Sequence, residues 1–517
     1  MNITLISPYP DITTFGLRTI SAYLKSHGHQ TQMLMLPDPY GDDIVFGKDR
    51  YEPHTMDEMV EICRGSGLIG ITLMTNFYDC AVQITKKLKS SLPNVPVIWG
   101  GIHPTIRPEE CLEFADMVCV GDGEEAMLDV ANNIAAGRDC STVGNIWSKK
   151  SNDDIAKNPV RPLSAGGLDI YPMPDYSFTQ GVANPFTRGV ANSFAGHYAL
   201  YNGHIEPLTN ELTKKFLEAG TVSAYLGKIG YQTMTGRGCP HKCTYCINDT
   251  IKNLYSGKGY LRWRTTAHVI NELLWVKEHM PYVGFIWISD DAFFARGLKS
   301  IEEFCMEYKE KINLPFTCLA SPLTLTEEKM ELLVDAGLVY LQMGVESASA
   351  RIQDIFNRKT MSNDIMMKAI RIINKYKDKM YPPSYDFILD VPYETEEDKI
   401  ESLRFISGIP KPFRLQPFSL VLYPETKLYN MAKGDGLIAD DKRDIYAKSY
   451  TMREPNYLNL LMTLSKGGKF PSALLKLLVA PGVVSVLNAR ALKPLVKRFY
   501  IGLQKAYRLA KSIGGRK

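Results

Sequence analysis

From Ile3 to Ala136 short apolar runs alternate with amphipathic stretches, a rhythm that few folds accept. Strands are expected over 3–7, 31–36, 68–73, 95–99 and 117–120, with helices over 16–26, 56–64, 80–90, 108–114 and 124–136. Strand–helix alternation with short connections specifies an α/β fold built on a doubly wound parallel sheet. Ligands of such sheets lie outside the carboxyl ends of the strands. The loops expected there carry Pro8-Tyr9-Pro10, Thr75-Asn76, Gly100-Gly101-Ile102-His103-Pro104-Thr105 and Gly121-Asp122-Gly123-Glu124-Glu125. Glycine lets the backbone approach a flat or phosphate-bearing ligand closely. Turns of any α/β domain look alike, so these loops alone decide nothing.

A chain of 517 residues exceeds one hydrophobic core, and two or three domains are expected. Residues 146–229, with Pro172, Pro174 and Pro185, read as an irregular linker. Alternation then resumes with strands over 231–235, 284–289, 316–319, 340–343, 385–389 and 415–421. Helices are expected over 267–279, 298–311, 326–336, 362–375 and 396–406. Six βα-type units make most of a barrel, whose chemistry sits at the carboxyl ends of its strands.

Directly after the first of those strands stands Gly236-Arg237-Gly238-Cys239-Pro240-His241-Lys242-Cys243-Thr244-Tyr245-Cys246. Cys239, Cys243 and Cys246 can hold three irons of a cubane [4Fe–4S] cluster, where four thiols would saturate it. One iron then stays open to an outside ligand. A structural zinc knot with His241 is a second reading, but His241 lies between two thiols and would have to fold back. A thioredoxin-like Cys243/Cys246 pair is a third, and it has no use for another cysteine. The seven remaining cysteines, Cys63, Cys80, Cys111, Cys119, Cys140, Cys305 and Cys318, have apolar neighbours and read as small buried hydrophobes.

Residues 1–430 resemble the cobalamin-binding-domain radical S-adenosylmethionine (SAM) proteins. That group includes the anaerobic magnesium-protoporphyrin IX monomethyl ester cyclase type and cobalamin-dependent radical SAM methyltransferases. The resemblance implies a Rossmann-like cobalamin domain over 1–145, then a radical SAM partial (β/α)6 barrel over 230–430. It implies cluster ligation by Cys239, Cys243 and Cys246, with Tyr245 as the aromatic before the third. Asp290 and Asp291 match the strand end that meets the SAM amino group, and Glu346 and Ser347 a later SAM contact. Glu394 falls in Asp390-Val391-Pro392-Tyr393-Glu394-Thr395, similar to a family turn whose two glycines are here Asp390 and Tyr393, a change expected to narrow the adenine or substrate side. Leu422-Tyr423-Pro424-Glu425-Thr426 is similar to the turn after strand six. Ala320 and Ser321 stand where an arginine often follows strand three. Thr75, Asn76, Gly100, Gly101, His103, Pro104, Gly121, Gly123 and Glu124 fall on the cobalamin side. No Asp-x-His-x-x-Gly run offers cobalt a histidine, so cobalamin would sit base-off or be absent. Read from the residues alone, Asp290-Asp291 also fit a helix cap, Glu346 and Glu394 surface turns, and His103 a loop hydrogen bond.

The resemblance implies an enzyme that cleaves SAM to a 5′-deoxyadenosyl radical and acts on an unactivated carbon. C-methylation through methylcobalamin leads; ring closure or rearrangement of a lipid or tetrapyrrole is the alternative. A non-catalytic Fe–S or cobalamin-binding module is the reading of another class. A flavodoxin- or ferredoxin-like electron donor is the implied partner.

Charge divides the chain. All 56 acidic residues precede Pro455, whereas Lys466, Lys469, Lys476, Arg490, Lys493, Lys497, Arg498, Lys505, Arg508, Lys511, Arg516 and Lys517 follow it. Within this basic, mainly helical region (431–517), Leu492, Leu495, Val496, Phe499, Leu503, Ala506 and Tyr507 keep helical spacing. Such a helix suits an anionic membrane surface and hence a hydrophobic or lipid substrate. A basic cap on an acidic barrel is the alternative; nucleic acid is not expected, for the tail lacks Gly- and aromatic-rich motifs. No run reaches the ~20 apolar residues of a membrane span, and the start lacks the basic flank of a secretory signal. A cytoplasmic protein, peripheral at most on the inner face of the cell membrane, is the expectation.

Overall fold

The computed structural model describes residues 1–37, 49–149, 154–178, 194, 196–257, 259–451, 454–489 and 491–502. Strands β1 (Asn2–Ser7), β2 (Gln30–Met35), β3 (Leu68–Thr72), β4 (Val97–Gly100) and β5 (Met117–Cys119) pair in parallel. Helices α1 (Phe15–Ser26), α2 (Pro53–Cys63), α3 (Tyr78–Ser91), α4 (Ile102–Ile106) and α5 (Pro108–Leu112) lie between them, and α6 (Glu124–Ala135) follows β5. Apolar residues cover both faces of the sheet, so both are buried: Leu5 and Met33 pack toward Leu17 and Val130, and Ile6 and Leu34 toward Met59 and Ile84.

The linker expectation needs correction. The sheet has nine strands in the order β7-β6-β5-β4-β3-β1-β2-β8-β9, and four come from the stretch read as irregular. These are β6 (Ile146–Lys149), β7 (Ile155–Lys157), β8 (Tyr198–Tyr201) and β9 (His204–Pro207); helices Asn210–Glu218 and Thr221–Leu226 follow. Strands this short carry almost no periodic signal, and they form because pairing covers the open edges of the parallel core. The intervening chain is pinned across α1: Arg18 Nη1 donates to Asp175 O at 2.5 Å, and Ser21 Oγ to the Asp175 carboxylate at 2.6 Å. Pro185 lies outside the described residues.

A second sheet is parallel throughout, its six strands in chain order: β10 (Gly230–Thr233), β13 (Phe285–Ile288), β14 (Phe316–Ala320), β15 (Leu338–Glu346), β16 (Ser384–Leu389) and β17 (Arg414–Ser419). A two-stranded excursion, β11 (Gly236–Arg237) and β12 (Arg262–Trp263), projects beyond β10. Outer helices include Thr266–His279, Leu298–Lys311, Glu327–Asp335, Asn363–Asn374 and Glu396–Ser407. Their starts are set locally: Thr265, Thr326, Ser362 and Thr395 side chains accept from the first turn, with a full capping box at Thr395/Asp398.

The two sheets share one apolar seam. Met56, Met59, Tyr78 and Trp99 of the first cluster with Ile352, Phe356, Val391, Leu420 and Tyr446 of the second. Helices Tyr457–Ser465, Ser472–Leu478 and Pro481–Leu487 then pack Leu458, Leu461, Leu475 and Val484 into the second core. Leu503, Lys505, Ala506, Tyr507 and Arg508 of the basic stripe lie outside the described residues, as do Arg490, Lys511, Arg516 and Lys517. Among the described residues no helix is long and apolar enough to cross a membrane.

Candidate functional site

The three cysteines occupy the turn between β11 and the helix Ile247–Leu254, at the carboxyl end of β10. Gly238 precedes them at φ +94°, where a Cβ would stand 2.6 Å from Tyr260 O. Only glycine lets the loop cross the chain that closely. The segment after β15 braces the loop: Thr244 N donates to Phe356 O (3.2 Å), Thr244 Oγ1 to Ile355 O (2.7 Å), and Asn357 Nδ2 to Lys242 O (2.9 Å). Tyr245 stacks edge-on against Phe356, 4.7 Å between ring centres.

Arg358 completes the brace. Its Nη2 donates to Gly344 O at 2.8 Å, and its Nη1 points at Cys243 Sγ at 3.6 Å and Tyr245 Oη at 3.4 Å. Asn248 Nδ2 lies 3.8 Å from Cys246 Sγ. Burial pushes the Cys239 thiol up to about 11 and the Cys246 thiol to about 12. With Cys243 buried, Cys239 and Cys246 half-buried, and donors aimed at Cys243 and Cys246, the trio suits a cationic iron–sulfur core, which supplies the charge that thiolates need and is tuned by such donors. Among the described residues no three His, Cys, Asp or Glu side chains gather on one point as a single zinc ion requires. Cubane ligands stand on separate corners.

A cavity of about 340 Å³ runs between the sheets beside this loop, lined by Phe15, Tyr171, Gly238, Asn248, Arg262 and Asp291 among others. A neighbouring cavity of about 190 Å³ opens at the carboxyl ends of β3, β4 and β5, against Gly100, Gly101, Gly121, Gly123 and Glu124. Gly101 has φ +102°, and a Cβ would meet Leu73 O at 2.8 Å.

A radical SAM superfamily model matches residues 233–406, and a B12 binding domain model matches residues 1–131. The chain joins a B12-binding domain to a radical SAM domain. It is 24% identical over 427 residues to an uncharacterised methyltransferase of Pyrococcus horikoshii, covering 81% of this chain and 78% of that one. It is 23% identical over 351 residues to the anaerobic magnesium-protoporphyrin IX monomethyl ester cyclase of Cereibacter sphaeroides, covering 65% of this chain and 48% of the cyclase. Its fold is shared with the radical SAM methyltransferase TsrM of Kitasatospora setae, solved with tryptophan substrate and a SAM analogue (TM-score 0.62, 15% identity, 84% of this chain and 77% of that one). The protein is a radical SAM enzyme whose cofactors are a [4Fe–4S] cluster, SAM and cobalamin.

The structure sorts the residues singled out from sequence. Of the aspartate pair on the radical SAM side, Asp291 lines the larger cavity and Asp290 does not. Asp290 is buried and accepts from Thr235 N (2.5 Å), Thr235 Oγ1 (2.5 Å) and Gly236 N (3.0 Å), holding the strand that leads into the cysteine loop. Burial pushes its carboxyl up nonetheless. Glu346 ends β15 at φ +69°, and burial raises its carboxyl against the pull of Arg358 and a hydrogen bond to Tyr245. Ser347 is buried beneath the site, accepting from Ser349 N at 3.2 Å. The Glu394 side chain, 3% exposed, faces Lys399 at 3.6 Å, and burial pushes its carboxyl up to about 7.

Neither replaced glycine of the strand-five turn narrows these cavities. Asp390 binds Ser419 Oγ (2.9 Å), Glu454 N (3.0 Å) and Asn459 Nδ2 (2.7 Å), and Tyr393 Oη donates to Asp435 at 2.7 Å.

The B12-binding side needs a larger correction. Thr75, Asn76, His103 and Pro104 line neither cavity. His103 is fully buried, sharing a 3.1 Å hydrogen bond with Thr75 and packed edge-on against Tyr78 and Tyr446. Burial, then the nearby Arg107, lowers its pKa to about 3. Asn76 Nδ2 donates to Lys448 O at 2.5 Å. The chain after the barrel covers these residues, a partner invisible to local sequence. Glu124, 2% exposed in its side chain, is ion-paired with Arg237. Asp122 pairs with Arg262 (2.9 Å) and Arg237 (3.4 Å), while its N–H donates to Tyr255 Oη at 2.7 Å. Sequence reading missed Arg237, Tyr255, Arg262 and Arg358. Arg237 stands inside the quoted cysteine segment; the other three have no local signature.

Proposed function

We propose that this enzyme methylates an unactivated carbon of a substrate held between its two domains. Cys239, Cys243 and Cys246 hold the cluster, and Asp291 receives the SAM amino group. The observation that carries the reading is the shared cavity, which borders the cysteine loop on one flank and adjoins the glycine loops of the B12-binding domain on the other. Bound there, cluster-activated SAM supplies a carbon-centred radical and cobalamin a transferable methyl group. The chain's own work is to position and to exclude water: Arg358 fixes the cysteine loop, and Phe15, Leu168, Tyr171 and Tyr260 wall the space with apolar surface. A reductant must deliver electrons; a flavodoxin- or ferredoxin-like donor fits that need.

Anaerobic reconstitution with iron, sulfide and cobalamin, followed by SAM and reductant, tests the reading. Methylation yields S-adenosylhomocysteine together with 5′-deoxyadenosine. Deoxyadenosine alone favours ring closure or rearrangement, and neither product sinks the enzymatic reading of this site.

A hydrophobic or lipid substrate at an anionic membrane surface is the finer form of this proposal. It is supported by Leu477, Val486, Leu495 and Phe499, each 60–61% exposed in a region that carries Lys476, Lys493 and Lys497 but no acid. Flotation with anionic vesicles should occur and weaken with salt; no flotation at low salt removes the membrane from the proposal.

A further inference from the structure

Three arginines line the cavity beside the cysteine loop, and two of them are spent. Arg264 pairs with Glu272 (2.5 Å) and donates to His268 Nδ1 (2.8 Å) and Met234 O (3.1 Å). Arg237 is divided between Glu124 and Asp122. Arg262 differs. It is 9% exposed, its Nη2 takes one oxygen of Asp122 at 2.9 Å, and its Nε and Nη1 are buried without a hydrogen-bond partner. That Asp122 carboxylate is shared with Arg237, so it satisfies neither guanidinium alone.

Buried donors almost always find an acceptor, and an exception calls for a ligand or a reason. A desolvated guanidinium prefers a charged acceptor, because charge-assisted hydrogen bonds are the strong ones in a low dielectric. The lining that Arg262 shares includes the apolar Leu168, Tyr171, Pro172, Pro174, Ile247 and Ile251, together with the Asp291 carboxylate. Such a lining favours an apolar body and leaves the guanidinium as the cation that fixes its polar end. Arg262 also lines a second space of about 660 Å³, formed with Leu163, Leu254 and Tyr255 among others.

We infer that Arg262 is the anion-recognition group of the interdomain cavity, and that the substrate is an apolar-bodied molecule ending in a carboxylate or phosphate. This rests on the reading that the substrate lies between the domains. It names Arg262 as a binding residue and gives it no part in the chemistry.

The test is calorimetric binding of decanoate, decyl phosphate and neutral decanamide to the full-length, anaerobically reconstituted enzyme, with and without cobalamin loaded. Either anion should bind about tenfold or more tightly than decanamide, as expected for hydrogen bonds to a charged group. Arg262→Gln should bring that ratio close to one, and Arg262→Lys should keep part of it. The ratio is taken within one preparation, so a variant that folds less completely without its Asp122 contact does not imitate the result. Equal binding of anion and amide by the parent enzyme overturns the inference, as does an undiminished ratio in Arg262→Gln. A preference present without cobalamin and abolished on loading it assigns the anion to cobalamin's own phosphate and overturns the substrate assignment. Methylated product with an unchanged ratio in Arg262→Gln sinks this inference alone; a preference that follows Arg262 without methylated product sinks only the methylation reading.

Discussion

Two sets of strand-end loops face one another across the cavity, and they meet it with different material. On the radical SAM side the surface is side chain: Asn248, Arg262 and Asp291 reach it, and Arg358 and Asp290 hold the loops that carry it. On the B12-binding side Gly100, Gly101, Gly121 and Gly123 bring backbone to the adjoining cavity, the Asp122 and Glu124 carboxylates beside them are tied to Arg262 and Arg237, and Thr75, Asn76 and His103 turn away into the covering chain. One side is built to perform chemistry at fixed atoms, the other to let a broad, flat molecule lie close. A side-chain surface should fail at single positions; a backbone surface should tolerate loss of the polar residues near it.

The sharpest test of that contrast is at the thiols. Cys246→Ser should reduce iron to the level of unreconstituted protein and deoxyadenosine formation to background, because two thiolates cannot anchor the cubane. Cobalamin retention should be little changed. Loss of both cofactors together would show that the two sides are not separately built.

Next in size is the ion pair that joins the sides. Glu124→Gln leaves the Arg237 cation facing Asp122 alone, and breaking a largely buried pair costs about 2–3 kcal/mol. Urea unfolding should show the loss, with iron content after reconstitution unchanged. A drop in iron with no drop in stability would make Glu124 part of the cluster site and not of the domain joint.

An effect smaller per pH unit should appear on acidification. The folded state holds the His103 pKa near 3, below the usual 6.5, so between these values it binds fewer protons than the unfolded chain. The associated stability is complete above pH 6.5 and is lost as pH falls, at up to about 1.4 kcal/mol per unit. His103→Phe should flatten that slope without releasing cobalamin. The lowered pKa of His197 acts in the same direction and will leave a residue of the slope. If His103→Phe instead lost cobalamin at neutral pH, the B12-binding side would depend on side chains after all.

What could be read in the sequence follows the same division. The parallel strands of both sheets were legible because runs such as 68–72 and 385–389 are largely apolar and regularly spaced between amphipathic helices. The cysteine trio stands out in the sequence because its members lie within eight residues. The four edge strands were not, since three or four residues cannot show a period. His103 makes the loop hydrogen bond that its residues suggested, with Thr75, but its ring partner Tyr446 comes more than 300 residues later and gave no local signal. Arg262 and Arg358 gave no signal, because what distinguishes them is burial beside groups brought together only by the fold.

The smallest effect expected is at Asp390, where the family's glycine is replaced. The residue sits at φ +59°, a conformation glycine adopts freely, so Asp390→Gly relieves about 1 kcal/mol of backbone cost. Against that stand three hydrogen bonds from its carboxylate to Ser419, Glu454 and Asn459, worth more together than the strain. The net loss should be about 1 kcal/mol and confined to the clasp, so hydrogen exchange should quicken over 454–465 while iron and cobalamin contents hold. Unchanged exchange with higher stability would mean that the carboxylate clasps nothing. The aspartate would then have to be explained from the cavity side, where no distance now places it.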